Sequence, residues 1–230
     1  MATSSLLLLL ADGRFPAGAH AHSGGLEAAV AAGRVTDLAT LEAFLAGRLA
    51  TAGLVGAAFA AAAHRAVTPA GSAVRGSTLA LLDAELDART AAPALRTVSR
   101  RQGRALLRAG GAIWPEASFD DLPSTPGGAH QPLVLGLLCA AAGLSRAETA
   151  TVAVHWTVTG AASAAVRLLG LDPYQVQALL VGLASRCDGT AAEAARAADE
   201  PPERLPAAAA PLADIHAEAH ATWEVRLFAS

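Results

Sequence analysis

The stretch Thr36–Leu49, TDLATLEAFLAGRL, repeats leucine at steps of three and four residues. The leucines are Leu38, Leu41, Leu45 and Leu49. Because an α-helix has about 3.6 residues per turn, this spacing places the leucines on one face of a helix. The polar pair Thr36-Asp37 precedes the first leucine and is typical of a helix start, where a short side chain accepts a backbone N–H. The stretch therefore predicts a helix with one apolar face.

The same period extends in both directions along the chain. Leucine stripes follow Gly76-Ser77 and Pro93, and further helices are predicted at about 131–143, 145–169, 173–186 and 210–227. No long segment alternates with period two, and alanine, the best helix former, is abundant. Proline and glycine predict an irregular loop at 115–128 and a proline–alanine linker at 201–211. We expect an all-α, single-domain bundle of about eight to ten helices over residues 1–230.

Composition excludes several classes of function. The net charge is −3 and lysine is absent, whereas a nucleic-acid surface needs an excess of basic residues. The leucine run of residues 1–10 lacks the basic residues that precede a signal peptide's apolar region. The uncharged segment 149–166 is rich in alanine, which favours a buried helix over a membrane span. Cys139 and Cys187 form no CxxC motif, which suits a reducing compartment. A single disulfide between them is the alternative. We expect a cytoplasmic protein without a membrane contact.

Two pairs of histidines are candidate metal ligands. In extended backbone, His20 and His22 would point to the same side and could share a metal, but no third ligand lies nearby in the sequence. The other interpretation is two polar aromatic side chains at or near the surface. His216 and His220 lie four residues apart on the last predicted helix, without the HExxH order of zinc helices. Their face is either a metal site or a solvated or partner-binding face.

Four arginines step by four residues along the helix that starts at Pro93. They are Arg96, Arg100, Arg104 and Arg108. Like charges at this spacing repel each other weakly, so the stripe indicates either a solvated face or a docking face for an acidic partner. The sequence contains no GxSxG motif, P-loop, dinucleotide fingerprint or CxxC motif. We therefore expect a protein that is not an enzyme.

Four separated segments carry a family resemblance. They are PAGAHAHSGGLE (16–27), HQPLVLG (130–136), Ala165–Leu168 with Gln177, and HATWEVRLFAS (220–230). In order and spacing they resemble the motifs of the urease accessory protein F family. The chain departs from the family pattern at His20 and His22, which replace aromatic residues, at Gly24, which replaces a glutamine, and at Ala221, which replaces a glutamate. The residues after Arg167-Leu168 differ as well.

The resemblance implies a non-catalytic helical protein, usually a homodimer. It would bind the D-type (also called H-type) accessory subunit and the G-type GTPase, and the assembly would act on apo-urease by coordinating GTP hydrolysis with nickel delivery. Nickel would pass through the complex without a stable site in this chain, and no cofactor is expected. The matched positions are candidate partner-binding residues: His20, His22, Glu27, Arg167, Gln177, His220, Arg226, Leu227, Phe228 and Ser230.

Phe228 lies two residues from the chain end, so we expect its own tail to bury it poorly and a partner to order it. On that view, removing Arg226–Ser230 would leave the isolated fold intact. The alternative function is a nickel- or zinc-binding protein or metallohydrolase that uses the pairs His20/His22 and His216/His220. It requires the N-terminal loop and the last helix to meet. A generic helical interaction module is the third interpretation.

Overall fold

The computed structural model describes residues 4–16, 21–67 and 72–228. These ranges contain ten α-helical segments and no β-strand, which confirms the all-α prediction. The helices are α1 (Ser4–Ala11), α2 (Leu26–Ala31), α3 (Leu38–Arg48), α4 (Leu54–Ala66), α5 (Ser72–Arg89), α6 (Pro93–Ile113), α7 (Gln131–Ala141), α8 (Arg146–Leu169), α9 (Pro173–Ala197) and α10 (Pro211–Ala221).

The leucine stretch forms α3 as its spacing predicts. The Asp37 carboxylate accepts the backbone N–H of Thr40 at 2.8 Å, and the Thr40 hydroxyl oxygen accepts the backbone N–H of Asp37 at 3.0 Å. This reciprocal pair satisfies two N–H groups that the first helical turn leaves without partners. Leu41, Leu45 and Leu49 are fully buried. Their burial in the core is the main stabilisation of α3, because helix propensity alone is weak.

A wide π turn at Leu49–Gly53 joins α3 to α4. The result is one 29-residue helical stretch, Leu38–Ala66. A side chain on Gly53 would place its Cβ only 3.0 Å from the Arg48 carbonyl oxygen and 3.2 Å from Thr157 Cγ2 on α8. Glycine therefore allows the π turn to lie directly against α8.

Helix α4 is the centre of the core. Every residue from Ala57 to Ala63 is buried, and α4 packs against α7, α8 and α9. A Cβ on Gly136 of α7 would overlap the Ala60 carbonyl oxygen, so glycine allows α4 and α7 to approach closely. Small side chains at the contact let these backbones pack with few voids.

Two stretches, Leu38–Ala66 and Arg146–Leu169, are long and apolar enough to cross a membrane by length and composition alone. Both are central helices of the bundle, with apolar side chains of their buried faces in the hydrophobic core. Residues 149–166 lie inside α8, and the apolar side chains of its buried face, such as Ala150, Val154 and Val158, belong to the core.

Two predicted helix ends are wrong. Helix α9 passes through Asp188-Gly189, because a glycine on an exposed helix face costs only about 1 kcal/mol and the buried face continues at Ala191 and Ala194. Helix α10 ends at Ala221, not near residue 227, because the following residues bind elsewhere in the fold. No α-helix lies in residues 115–128 or 201–210, and a single 3-10 turn forms at Pro202–Arg204.

Candidate partner-docking site

Glu27, in the first turn of α2, binds the end of the chain. Its carboxylate accepts the backbone N–H of Leu227 at 2.8 Å and that of Phe228 at 3.0 Å, and it contacts His220 Nε2 at 3.0 Å. Burial alone would raise the pKa of this carboxyl, but these three partners outweigh it and the pKa is lowered. Glu27 is thus an ionised, buried acceptor that joins two segments 200 positions apart.

The turn before α2 sets the position of this carboxylate. The Ser23 hydroxyl oxygen accepts the backbone N–H of Glu27 at 3.3 Å, and Ser23 is fully buried. Gly24 and Gly25 both adopt positive φ, 62° and 89°, which only glycine adopts readily. The pair therefore turns the chain sharply, and the first helical turn carries Glu27 into the interior.

Phe228 is buried, so the expectation that it is poorly buried is wrong. Only 4% of its surface is exposed, and the guanidinium carbon of Arg167 lies 4.2 Å from its ring centroid. Arg167 on α8 supplies a cation–π contact, and Glu27 fixes the backbone on either side of the ring. Residues of α2 and α8 bury the tail, and its own residues do not. These helices are far from the tail in sequence, so the sequence did not indicate the contact. Its removal would take a core side chain with it.

The same segment exposes its other side chains. Val225 is 86% exposed and Leu227 is 72% exposed, and Arg226 is exposed between them. A backbone held by buried hydrogen bonds thus presents two apolar side chains and one cation to the outside. We name residues 223–228 the chain-end segment. A backbone fixed in this way suits a docking surface, because less conformational entropy is lost on binding.

The structure brings five of the predicted partner-binding residues together: Glu27, Arg167, His220, Leu227 and Phe228. His20 and Ser230 lie outside the described residues. Arg226 is exposed on the chain-end segment. Gln177 lies elsewhere, on the exposed face of α9 between Tyr174 and Val181, which are 86% and 75% exposed. The partner-binding roles of these residues stay predictions.

His22 and His216 line one cavity of about 630 Å³, which lies mainly between α3, the π turn, α6 and α10. A smaller cavity of about 210 Å³ adjoins it and is lined by Ser99, Gln102 and Gln131. Arg48 lines both. Sequence reasoning missed Arg48. Its signal is that Glu42 and Arg48 are the only charged residues between Leu38 and Ala63.

The arginine stripe of α6 makes contacts inside the chain at Arg96, Arg100 and Arg104, whereas Arg104 and Arg108 are exposed, so a solvated or docking role of the exposed part stays a prediction. Arg96 donates to the carbonyls of Thr90 and Ala91, and Arg104 donates to that of Gly127. Arg100 forms ion pairs with Asp83 at 2.8 Å and Asp87 at 3.0 Å. The stripe fastens α6 to α5 and to the 115–128 loop. The spacing of four predicted a shared face correctly, but it could not show which groups cover that face.

His130, in the mid-chain motif, completes this network. Its ring is fully buried, with Nε2 2.7 Å from Asp87 Oδ1 and Nδ1 2.9 Å from Ser99 Oγ. Burial lowers the pKa of His130, so the ring is neutral at pH 7. The residue precedes the first turn of α7 and connects it to α5 and α6. Its role in the fold is structural.

The described residues contain no group of three or more histidine, cysteine or acidic side chains placed to hold a metal ion. The two histidines of α10 have different surroundings. His216 lines the larger cavity, whereas His220 is buried against Glu27. Cys139 and Cys187 are both free thiols in the structure. Burial raises the pKa of Cys139 to about 12, which makes this thiol unreactive at neutral pH.

Comparison with known proteins identifies relatives over the full length of the chain. A family model described as UreF matches residues 35–184. The urease accessory protein UreF of Mycolicibacterium vanbaalenii is 45% identical over 230 residues, which is all of both chains. The UreF protein of Mycobacterium sp. strain JLS is 47% identical over 230 residues, again all of both chains. That of Mycobacterium tuberculosis H37Rv is 45% identical over 194 residues, covering 84% of this chain and 86% of its own.

Proposed function

The chain belongs to the UreF family of urease accessory proteins, and from this premise we propose that it acts as the docking subunit of a urease-maturation complex. Its membership in a family of accessory proteins confirms the prediction that it is not an enzyme. The finer proposal is that it binds the D-type subunit and the G-type GTPase, and that this assembly acts on apo-urease in the cytoplasm. In this proposal the chain regulates GTP hydrolysis by the G-type subunit, and nickel passes through the complex without a stable site in this chain.

The chain-end segment is the observation that carries the proposal. Its backbone is held by a buried carboxylate, yet the side chains of Val225 and Leu227 are mostly exposed. An isolated chain gains nothing by ordering apolar side chains toward water, whereas a binding partner gains a surface that needs little further ordering. We assign the chain-end segment to the D-type subunit. Arg226 between the two apolar residues adds charge recognition at the edge of the contact.

The exposed face of α9 supports a second contact. Tyr174, Gln177 and Val181 follow each other at steps of three and four residues and share one helix face. Tyrosine is enriched in protein interfaces, since its ring buries apolar area while the hydroxyl keeps a polar partner. We assign this face to the interface between two copies of the chain.

The test of docking is the variant Leu227→Asp. A carboxylate at the centre of an apolar contact has to be desolvated without a partner, so we expect affinity for the D-type subunit to fall at least about tenfold. The Leu227 side chain is exposed, so the melting temperature of the isolated chain should stay unchanged. Co-purification and a binding isotherm measure the first effect, and thermal unfolding measures the second.

Leu8→Asp is the matched control. Leu8 on α1 is 69% exposed, against 72% for Leu227, so both changes place a carboxylate at a similarly exposed leucine. The control should bind like the parent chain and should restore urease activity in a strain that lacks its own F-type protein. Unchanged affinity of Leu227→Asp would remove the chain-end segment from the proposal.

A further inference from the structure

Arg48 occupies a position that the fold is built to accommodate. It ends α3 where the π turn begins, and its Nη1 donates to the Gly24 carbonyl oxygen. A side chain on Gly24 would place its Cβ 2.7 Å from Arg48 Nη2. Glycine is therefore required at position 24 for two reasons: its φ is positive, and a side chain there would overlap the Arg48 guanidinium.

The charge of Arg48 has no counter-ion in the part of the chain that the structure describes. Its Nε is buried and makes no hydrogen bond there, and no carboxylate of the described residues lies within ion-pair distance of it. The guanidinium also faces the ring of Phe44, whose centroid lies 6.0 Å from Cζ. Burial lowers the pKa of Arg48 to about 10, so the side chain is still a cation at pH 7.

Arg100 shows how the same fold treats another inward-facing arginine. Two carboxylates, those of Asp83 and Asp87, pair with it at 2.8 and 3.0 Å. Burial alone would lower the pKa of Arg100, but these two carboxylates outweigh it and the pKa is raised. Buried cations are normally paired, because desolvation of a lone charge is costly. Arg48 lacks the partner that Arg100 has.

The smaller cavity beside Arg48 offers hydrogen-bond donors and no acid. The side-chain amides of Gln102 and Gln131 line it and make no hydrogen bond to any described residue. The Ser99 hydroxyl lies on the same wall, and none of the lining residues is aspartate or glutamate. Among the described residues that line the connected larger cavity, the acid is Asp214 of α10. One cation and two amides with free donor capacity therefore line a space of about 210 Å³.

We propose that the smaller cavity is a binding site for a small organic carboxylate, held by Arg48 with Gln102 and Gln131. Because Nη1 is engaged by Gly24 and Nε is closed to water, the carboxylate is held by the Nη2 donors and the positive charge of the guanidinium. The amides donate to the same group or to a second polar end of the ligand. The ligand enters through the larger cavity, which shares Arg48, Ser99 and Gln102 with the smaller one. This site is independent of the partner-docking proposal.

The experiment titrates the purified full chain with acetate, malonate and succinate, using sodium chloride of equal ionic strength as the reference. Calorimetry and thermal unfolding report binding, because a ligand that binds only the folded state raises the melting temperature. We expect a saturable rise with at least one carboxylate and none with chloride. Arg48→Gln should abolish the rise, and Gln102→Leu should weaken binding about tenfold, a typical loss for one hydrogen bond to a charged group.

Arg101→Gln is the matched control, because Arg101 is an exposed arginine on α6 away from both cavities. It should keep the full response. If Arg48→Gln does not fold, Gln102→Leu and Gln131→Leu decide the question, since neither removes a charge or the hydrogen bond to Gly24. A response equal in Gln102→Leu, Gln131→Leu and the parent chain overturns the proposal. The lack of any carboxylate-specific response also overturns the proposal. That outcome includes the case in which Arg48 pairs only with an acidic side chain of a partner protein.

Discussion

The short turn Ser23–Glu27 supplies the acceptor oxygen in two electrostatic contacts. At Gly24 a backbone carbonyl accepts a hydrogen bond from Arg48, and at Glu27 a carboxylate accepts from the chain end. Both depend on the two glycines, because no other residue adopts their backbone conformation readily. The sequence of this segment first suggested a metal site at its histidines. In the described part of the chain, its serine, glycines and glutamate make the contacts that hold the turn and the chain end.

Glu27→Gln tests the strength of the chain-end anchor. The carboxylate accepts hydrogen bonds from backbone N–H groups, whereas the NH₂ group of the glutamine amide is itself a donor and cannot accept them. We therefore expect a loss of about 2 kcal/mol in the free energy of unfolding at pH 7. The pKa of Glu27 is lowered from its usual 4.5. Its contribution is therefore present above that value and is lost as pH falls through the lowered pKa. Urea unfolding of parent and variant between about pH 7 and about pH 3 measures the decline.

Glu224→Gln is the control for this experiment. Glu224 lies on the same chain-end segment, but its side chain is exposed. Surface substitutions of this kind change stability by less than about 0.5 kcal/mol. An equal effect of the two substitutions, or a difference for Glu27→Gln that grows as pH falls, would contradict the assignment of Glu27 as a buried ionised acceptor.

At the scale of elements, close helix contacts depend on missing side chains. Helices α4 and α7 meet where Gly136 faces the Ala60 carbonyl, and α6 meets the segment before α7 where Gly103 faces the Ala129 carbonyl. The leucine stripes fill the remaining space from α3 and α5. Alanine and glycine therefore set the distances between helices, and leucine supplies most of the buried apolar area.

Gly136→Ala tests this packing. Alanine has the better helix propensity, yet its Cβ would overlap the Ala60 carbonyl oxygen, so we expect a loss of about 1–3 kcal/mol in the free energy of unfolding. Gly182→Ala, on α9, is the opposite case: nothing lies within 4 Å of its Cβ position. That variant should gain about 0.5–1 kcal/mol from propensity alone. Thermal and denaturant unfolding compare the two, and a gain at Gly136 would refute the close contact.

At the scale of the molecule, the two ends of the fold are joined. The chain-end segment binds α2 through Glu27 and α8 through Arg167, and Glu218 of α10 accepts the backbone N–H of Ala94 at 2.7 Å, at the start of α6. Four carbonyls of the 202–206 segment accept hydrogen bonds from Arg89. The linker and last helix are therefore fixed to the bundle, and the larger cavity lies beneath them.

Val181→Asp tests the proposed contact between two copies of the chain. Val181 is 75% exposed, so the fold should tolerate the change, whereas a buried carboxylate at the interface should raise the dimer dissociation constant at least about tenfold. Analytical ultracentrifugation over a range of concentrations measures it. Val74→Asp, at a valine of α5 that is 59% exposed, is the matched control. A parent chain that stays monomeric, or equal association in both variants, would exclude the α9 face.

Several features were predictable from sequence because their causes are local. Leucine spacing and Asp37 determine α3, and proline and glycine break the helices at the two irregular segments. Motif order also indicated the family. These predictions rest on periodicity, capping and turn chemistry, which neighbouring residues decide among themselves.

The sequence by itself determined the all-α class, most helix positions and the family, because helical period and short motifs are properties of neighbouring residues. Only the tertiary structure decided that Phe228 is buried, that Arg100 of the arginine stripe is paired inside the chain, and that Arg48 faces a cavity without a counter-ion among the described residues. Burial and charge pairing join residues far apart in sequence: Glu27 meets Phe228 at a separation of 201 positions. No local pattern records such a contact, since it exists only after the helices have packed.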